Sequence, residues 1–430
     1  MIKRIIQHRN KIILLNLALL QVFINFASNF MIVKKIGFGN ELDIYYIAMA
    51  VFSFLSTSIG WSISSVLTPI LIENREDNLE GKMFLNVLII TIPIFFIAII
   101  SMFFWSKLIF VNYIESVEYS KILIIQGMFI VTFLITTLNV VFYAIFQEKN
   151  QYIKINFLNM FAAIIGFTFV YLTIDSYGVY SAVMSQVVMQ LFLFIIMLYL
   201  TFKIIKKNFI FDKEKLLLLW NRMKYIFIGS FYYRTDELIE RFIASYLTAG
   251  FLSLVGFIQR VYGAIITVLN TSIAGPTITK FSTLIKDGHY GELKKTLYNY
   301  LIFLFLIDLS IFLVVLLFGE NLFLYFFSDK IDEKLLPVVY NTILLLFTMI
   351  FGKTLGQVLH NLLLSLKLEK TITLYDSATF TINIFIKVLL TIYYGMFGFL
   401  ISIVIGELIK NTIKYYLVMQ NLRKYNAIEV

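Results

Sequence analysis

The chain has 430 residues, of which 60% are hydrophobic and only 14% charged, with a formal net charge of +10. An ordinary soluble domain carries about 25% charged residues, so this chain cannot clothe a folded surface in water, and a cytosolic enzyme, a disordered regulator and a secreted scaffold are excluded. There is no cysteine, which removes disulfides, thiolate metal sites and cysteine nucleophiles, and His8, His289 and His360 lack ligand spacing, so neither a metal site nor a cofactor is expected.

Apolar runs long enough to cross about 30 Å of hydrocarbon at 1.5 Å per residue fall in chain order at 12–33, 44–70, 83–106, 122–146, 155–174, 179–202, 225–248, 251–277, 297–318, 337–364, 371–394 and 397–419. The spacing predicts an all-α integral membrane protein of about 12 transmembrane helices. Barrel strands would be shorter and alternating. The first run is too long for a signal peptide, has no A-x-A-like site after it, and is followed by eleven more.

The basic residues set an orientation. If both termini are cytoplasmic, the outer segments hold only Lys34, Lys35, Lys107, Lys121, Lys330 and Lys334. The inner segments hold most of the rest, from Lys3, Arg4, Arg9 and Lys11 through Arg75 and Lys82 to Arg423 and Lys424. Positive charge gathers inside, and basic residues placed between apolar runs point to membrane topology, not to nucleic acid. Lys34 and Lys35 read as interface anchors. The heaviest basic load lies in 203–224, which reads as a cytoplasmic linker between an N-terminal lobe, 1–202, and a C-terminal lobe, 225–430. Its stretch Lys213–Trp220 suits an amphipathic helix on the inner leaflet. Each half opens alike: Gly39 then a helix to Pro69, and Gly250 then a helix to Pro276. Paired halves of one orientation are a transporter signature. The outer loops are short, no phosphate-binding G-x-x-x-x-G-K-[ST] loop is present, and no acid/base pair or nucleophile constellation is visible, so no enzyme is expected.

A charge at mid-bilayer costs roughly 2.5–3.5 kcal/mol on insertion scales and normally faces protein or a wet cavity. The seventh span breaks the apolar pattern with Arg234, Asp236, Glu237, Glu240 and Arg241. Ser230, Arg234, Glu237, Arg241 and Ser245 share one helical face, and Asp236 and Glu240 form an acidic stripe beside it. One reading is a hydrated wall where arginines meet an anionic ligand and carboxylates carry a coupling proton or cation. The other is local pairing of Glu237 and Glu240 with Arg241. Arg260 sits mid-span among Gly256, Gly263 and Ala264, facing substrate or paired with the carboxylates of the seventh span. Lys353, in Gly352-Lys353-Thr354-Leu355-Gly356-Gln357, suits a cavity or a structural role, and Asp308 suits either its partner or a proton carrier. Lys387 suits a cavity or a snorkelling position, Lys414 reads as snorkelling, and Glu407 with Lys410 reads as an i, i+3 pair.

The run Gly39-Asn40-Glu41-Leu42-Asp43-Ile44-Tyr45-Tyr46-Ile47-Ala48 followed by Pro69, and Phe242-Ile243-Ala244-Ser245-Tyr246-Leu247 with Gly250, Gln259-Arg260 and Pro276, resemble two hairpins of the multidrug/oligosaccharidyl-lipid/polysaccharide (MOP) flippase superfamily. The resemblance implies two six-helix bundles around a central cavity, as in MATE exporters. It also implies a cavity-lining role for Arg260 and a functionally sensitive acid at Asp43. Lipid II flippases (MurJ-like) carry arginines in their first two helices and two further helices; span one here has no charge. The resemblance therefore implies an O-antigen, capsule or exopolysaccharide repeat-unit flippase (Wzx-like) in a bacterial cell inner membrane. Such a protein would move an undecaprenyl-pyrophosphate-linked oligosaccharide to the outer leaflet. The charge pattern itself offers Arg234, Arg241, Arg260 and Lys353 as substrate-binding residues and Asp236, Glu237, Glu240 and Asp308 as coupling-ion or gating residues, to which the resemblance adds Asp43. The partners implied are that lipid-linked oligosaccharide, membrane lipids, a proton or sodium ion and glycan-assembly proteins. The alternatives are a cation-coupled multidrug exporter of the same superfamily, a lipid II flippase, and a non-transporting scaffold for glycan assembly.

Overall fold

The computed structural model describes residues 2–73, 79–149 and 151–426. Arg75, assigned above to an inner segment, lies outside the described residues, as do the side chains of Lys3, Arg4, Arg9, Lys11 and Lys424. Among the described residues every regular element is helical. In chain order the helices are α1 Ile2–Ile36, α2 Asn40–Glu73, α3 Glu80–Ile109, α4 Tyr119–Glu148, α5 Tyr152–Tyr177, α6 Val179–Lys207, α7 Lys213–Ser245, α8 Phe251–Lys286, α9 Tyr290–Phe327 and α10 Leu336–Ser365. The stretch Glu369–Asn426 then divides at Gly395 into α11, 369–394, and α12, 396–426. Gly395 has φ +58°, ψ −135°, a conformation that a side chain strongly disfavours, and the helix breaks there.

Each of the twelve expected spans meets one of these helices. Among the described residues ten stretches are long and apolar enough to cross a membrane, the last of them, Lys370–Arg423, holding both α11 and α12; α7, with its many charges, is not one of them. Outward-facing positions carry Phe104, Leu172, Leu317 and Phe385, all exposed. Large apolar side chains spread over every long helix suit lipid, not water. The chain is a multi-pass membrane protein.

The chain divides into two compact units, Met1–Tyr246 and Leu247–Val430. In the first, Ile63, Leu67, Val87, Phe142, Met197, Leu219 and Met223 form a core from α2, α3, α4, α6 and α7. The helix α1 lies along α5, and α5 along α6. A side chain on Gly81 would strike the backbone of Ile205 and Asn208, so α3 and α6 meet main chain to main chain there. The helix α7, placed by the sequence at the head of the second lobe, packs on α2 and α3 within this unit. In the second unit, Phe281, Leu297, Val358, Leu362 and Val418 join α8, α9, α10 and α12. Gly352 and Gly356 lie one turn apart on α10 and leave room for Glu407 and Asn411 of α12; a Cβ on Gly352 would sit 2.5 Å from Glu407 Cγ. Small residues four apart let helices approach in lipid, where no hydrophobic force draws them together.

The two halves share a local irregularity. Both α2 and α8 contain one wide π-helical turn shortly before a proline: Ser56–Gly60 before Pro69, and Asn270–Ala274 before Pro276. Such a turn inserts a residue and frees backbone carbonyls. In α2, the Ser58 carbonyl receives the Ser62 hydroxyl at 2.5 Å and the Ser230 hydroxyl of α7 at 3.2 Å. In α8, the Ala274 carbonyl receives Asn361 Nδ2 of α10 at 2.8 Å and the Thr277 hydroxyl at 2.6 Å. Each wide turn is thus caught by a polar side chain from a helix packed beside it.

Candidate functional site

The first group of candidate residues lies on α7. Asp212 caps this helix, accepting the Lys215 backbone N–H at 3.1 Å, and holds Lys82 of α3 at 2.9 Å. The Lys82 ammonium, followed by the capped N–H, keeps the Asp212 carboxyl below its ordinary range. Two turns further, Arg222 grips Glu73 with both terminal nitrogens, at 3.1 and 2.8 Å. Ser230 then pins the helix to the wide turn of α2. The charged segment begins one turn beyond this pin. Arg234 is exposed, Asp236, Glu237 and Glu240 are half-buried, and Arg241 is buried. Ser245, next on the same face, is bonded through its carbonyl to Asn112 Nδ2 at 3.0 Å. The face predicted from spacing therefore starts on a hydroxyl and ends on a carbonyl that hold neighbouring elements, with its ions between them.

Asp43 is fully buried in the first turn of α2. The Tyr113 hydroxyl, on the loop after α3, donates to its Oδ2 at 3.3 Å. Burial and the neighbouring Asp43 charge hold the Tyr113 phenol well above its ordinary pKa, so it serves as a hydrogen-bond donor. Nearby, Lys35 pairs with Asp175 at 2.8 Å and Lys121 approaches Glu41 at 3.8 Å. Lys35 thus ties α1 to α5. Tyr113 was invisible to sequence reasoning because its partner lies across a long sequence gap.

The second unit holds the remaining candidates. Arg260 is half-buried on α8, one turn past Gly256. Lys353 Nζ reaches Glu407 of α12 at 3.3 Å while its side chain stays 45% exposed. The ion pair expected between Glu407 and Lys410 is thus made across helices, with Lys353. Asn411 donates to both Glu407 Oε1 at 3.1 Å and the Gly352 carbonyl at 3.0 Å, so the pair sits in the groove the two glycines open. Asp308 is separate from this pair: it is fully buried, and its Oδ2 lies 2.5 Å from the Thr354 hydroxyl. Lys414, read as snorkelling, and Lys387, for which the sequence leaves a cavity and a snorkelling position both open, are buried among protein side chains. Lysines in long apolar helices look alike in sequence whether they end in lipid headgroups or inside a bundle, and only packing separates them.

The structure therefore gathers Lys353, Glu407 and Asn411 in one place, Asp308 and Thr354 in another, Asp43 and Tyr113 in a third, and a run of five ions along α7. The signal that sequence reading passed over is the polar amide set, Asn361, Asn411 and Gln357, which stands out in otherwise apolar helices. Gln357 donates to Asn361 at 2.9 Å.

No protein-family model matches the chain, and no curated protein matches it. Solved structures do. An inward-facing multidrug resistance MATE family transporter of the MOP superfamily is 14% identical, covers 97% of this chain and 99% of its own, and superposes with a TM-score of 0.76. Lipid II flippase MurJ in an inward closed conformation is 17% identical, with 96% of this chain and 90% of that one covered and a TM-score of 0.78. A MOP superfamily transporter from Pyrococcus furiosus, for which reverse polarity of the binding pocket suggests a different function, is 12% identical over 96% of both chains, with a TM-score of 0.68. The chain has the MATE- and MurJ-like fold of twelve helices.

Proposed function

We propose that the chain is a flippase for a lipid-linked oligosaccharide, moving an undecaprenyl-pyrophosphate-linked glycan repeat unit from the inner to the outer leaflet of a bacterial inner membrane by alternating access. Both termini lie in the cytoplasm, 203–224 is an inner segment leading into α7, and the two lobes follow the compact units 1–246 and 247–430. The physical obstacle is a sugar and phosphate head in hydrocarbon. A wet, cationic chamber removes most of it while the lipid tail stays in the bilayer. The cationic residues proposed for the pyrophosphate are Arg234 and Arg241 in the first unit, and Arg260 and the Glu407-paired Lys353 in the second; guanidinium forks match phosphate oxygens. Asp43, Asp236, Glu237, Glu240 and Asp308 serve coupling or gating, with a proton or sodium ion as the driving species.

The single observation that carries this reading is the ionic run on α7, with Arg234 exposed in mid-helix and Arg241 one face-repeat away. The fold likeness supports a transporter and leaves the cargo to the side chains. A second reading is a cation-coupled multidrug exporter, with which the fold is equally compatible: the MATE structure superposes with a TM-score of 0.76 and MurJ with 0.78. Arg234→Ala and Arg260→Ala should each abolish surface glycan while the protein still inserts at native level. Normal glycan in both would refute the assignment. Loss of protection against cationic dyes, with glycan intact, would establish the exporter instead.

A further inference from the structure

Asp308 sits near the middle of α9 with no exposed surface. Its Oδ2 lies 2.5 Å from Thr354 Oγ1 of α10, and that same hydroxyl lies 2.9 Å from the Ile350 carbonyl one turn back. A hydroxyl has one hydrogen. If Thr354 gives it to Ile350, an ionised Asp308 would face the Thr354 oxygen with no hydrogen between two acceptors at a short distance. If Thr354 gives it to Asp308, a full negative charge is buried with one donor, because among the described residues no donor reaches Oδ1. Either assignment leaves a charged oxygen unsatisfied in a medium where that is very costly. A carboxylic acid resolves both contacts: Asp308 donates from Oδ2 to Thr354, and Thr354 donates to Ile350. Oδ1 is then a neutral carbonyl, much cheaper to leave bare.

The neighbouring charges do not supply a counter-ion. On α10, Lys353 is engaged with Glu407 at 3.3 Å, and His360 lies nearly two turns past Thr354. Lys280 and Lys286 lie in the last turns of α8. Lys387 lies on α11, and Lys410 and Lys414 follow Glu407 on α12. Glu292, Lys294 and Lys295 occupy the first turns of α9 itself, and Glu320 lies more than three turns beyond Asp308. Among the described residues none of these comes within ion-pair distance of the Asp308 carboxyl; its one bonded side chain is Thr354. A metal cation needs a shell of several oxygens. This seat offers one carboxyl and one hydroxyl, enough for a proton.

We infer that Asp308 is a proton-binding site enclosed in the second unit, occupied while Thr354 is seated against it and emptied when α9 and α10 part enough to admit water. The role of that proton as a coupling ion rests on the transporter reading; its presence does not. Infrared difference spectra of the purified full chain in lipid, native against Asp308→Asn, test it. The expected result is a carboxylic-acid carbonyl band at neutral pH that shifts in heavy water and is lost in Asp308→Asn. In Thr354→Val the band should remain and move to higher frequency, because its hydrogen-bond acceptor is gone; this second variant serves if Asp308→Asn fails to fold. Absence of the band in the native protein, or its loss on adding sodium chloride at constant pH, would overturn the proton site. In cells that depend on the chain for surface glycan, Asp308→Asn should reduce glycan at least tenfold. Native glycan in that variant would overturn the coupling role. Absence of any dependence of glycan on the native chain would refute the flippase reading and leave the spectroscopic result standing.

Discussion

At the scale of single residues, the cost of a change follows from what the new atom would meet. Gly81 and Gly356 illustrate this. Beyond Gly81 lies the backbone of Ile205 and Asn208, which cannot move without shifting α6, whereas beyond Gly356 lies the tip of Asn411, a side chain that can turn aside. Gly81→Ala should therefore cost about 1–3 kcal/mol, in the range for overpacking, and Gly356→Ala less, as read from thermal unfolding in detergent. Asp212 adds a dependence on pH. Its carboxyl is held below the ordinary range by Lys82 and by the N–H of Lys215. A depressed carboxyl stabilises the fold above its unfolded pKa, and that contribution fades as the pH falls through the lowered folded value. The native protein should lose stability across that acid window more steeply than Asp212→Asn, which keeps a cap but has nothing to titrate there. Equal slopes of unfolding temperature against pH would contradict this. Residue identity made the ions of α7 and the oddity of Asp308 legible from sequence. The partners, Tyr113 for Asp43, Glu407 for Lys353 and Thr354 for Asp308, lie on other elements, and no local pattern encodes them.

At the scale of elements, hydropathy was a sufficient guide to where helices run. Each expected span met one, since twenty apolar residues in lipid have few other ways to satisfy their backbone. The two wide turns were not legible. An extra residue in a turn leaves no periodic trace over so short a stretch, although the hydroxyl and small residues around Ser62 and Ala274 mark the same positions. The catches on these turns should be measurable. Ser230→Ala removes one hydrogen bond to the Ser58 carbonyl and should cost about 1 kcal/mol. Asn361→Ala removes donors to both Ala274 and Thr277 and an acceptor for Gln357, leaving several buried groups unsatisfied, and should cost about 1–3 kcal/mol. Chemical unfolding of the two variants side by side checks the order; a larger loss for Ser230→Ala would contradict it.

At the scale of the whole molecule, composition alone placed the chain in a membrane, and the repeated Gly-to-Pro openings of the halves pointed to two lobes. The position of the division was less legible. The basic segment 203–224 looks like a linker because charge is the strongest local signal there, yet the contacts that hold α7 lie on α2 and α3, so the first compact unit runs to Tyr246. A chain split after Tyr246 and co-expressed as 1–246 with 247–430 should accumulate as a stable pair. A split at about 210 takes α7 from the helices that carry its core contacts, Leu219 and Met223, and should accumulate less. Equal yields on membrane fractionation would show that α7 docks independently of chain continuity.

The paired wide turns have a mechanical consequence. One surplus residue in a helix rotates everything beyond it by about 100° relative to an unbroken ladder. If the surplus slips along by one position, each residue it passes swings by that angle while the rest of the ladder stays whole. Held from the neighbouring helix by Ser230 in one half and Asn361 in the other, α2 and α8 each store a quarter-turn of register behind a latch, and releasing it would let the turn migrate and swing the residues it passes without melting either rod.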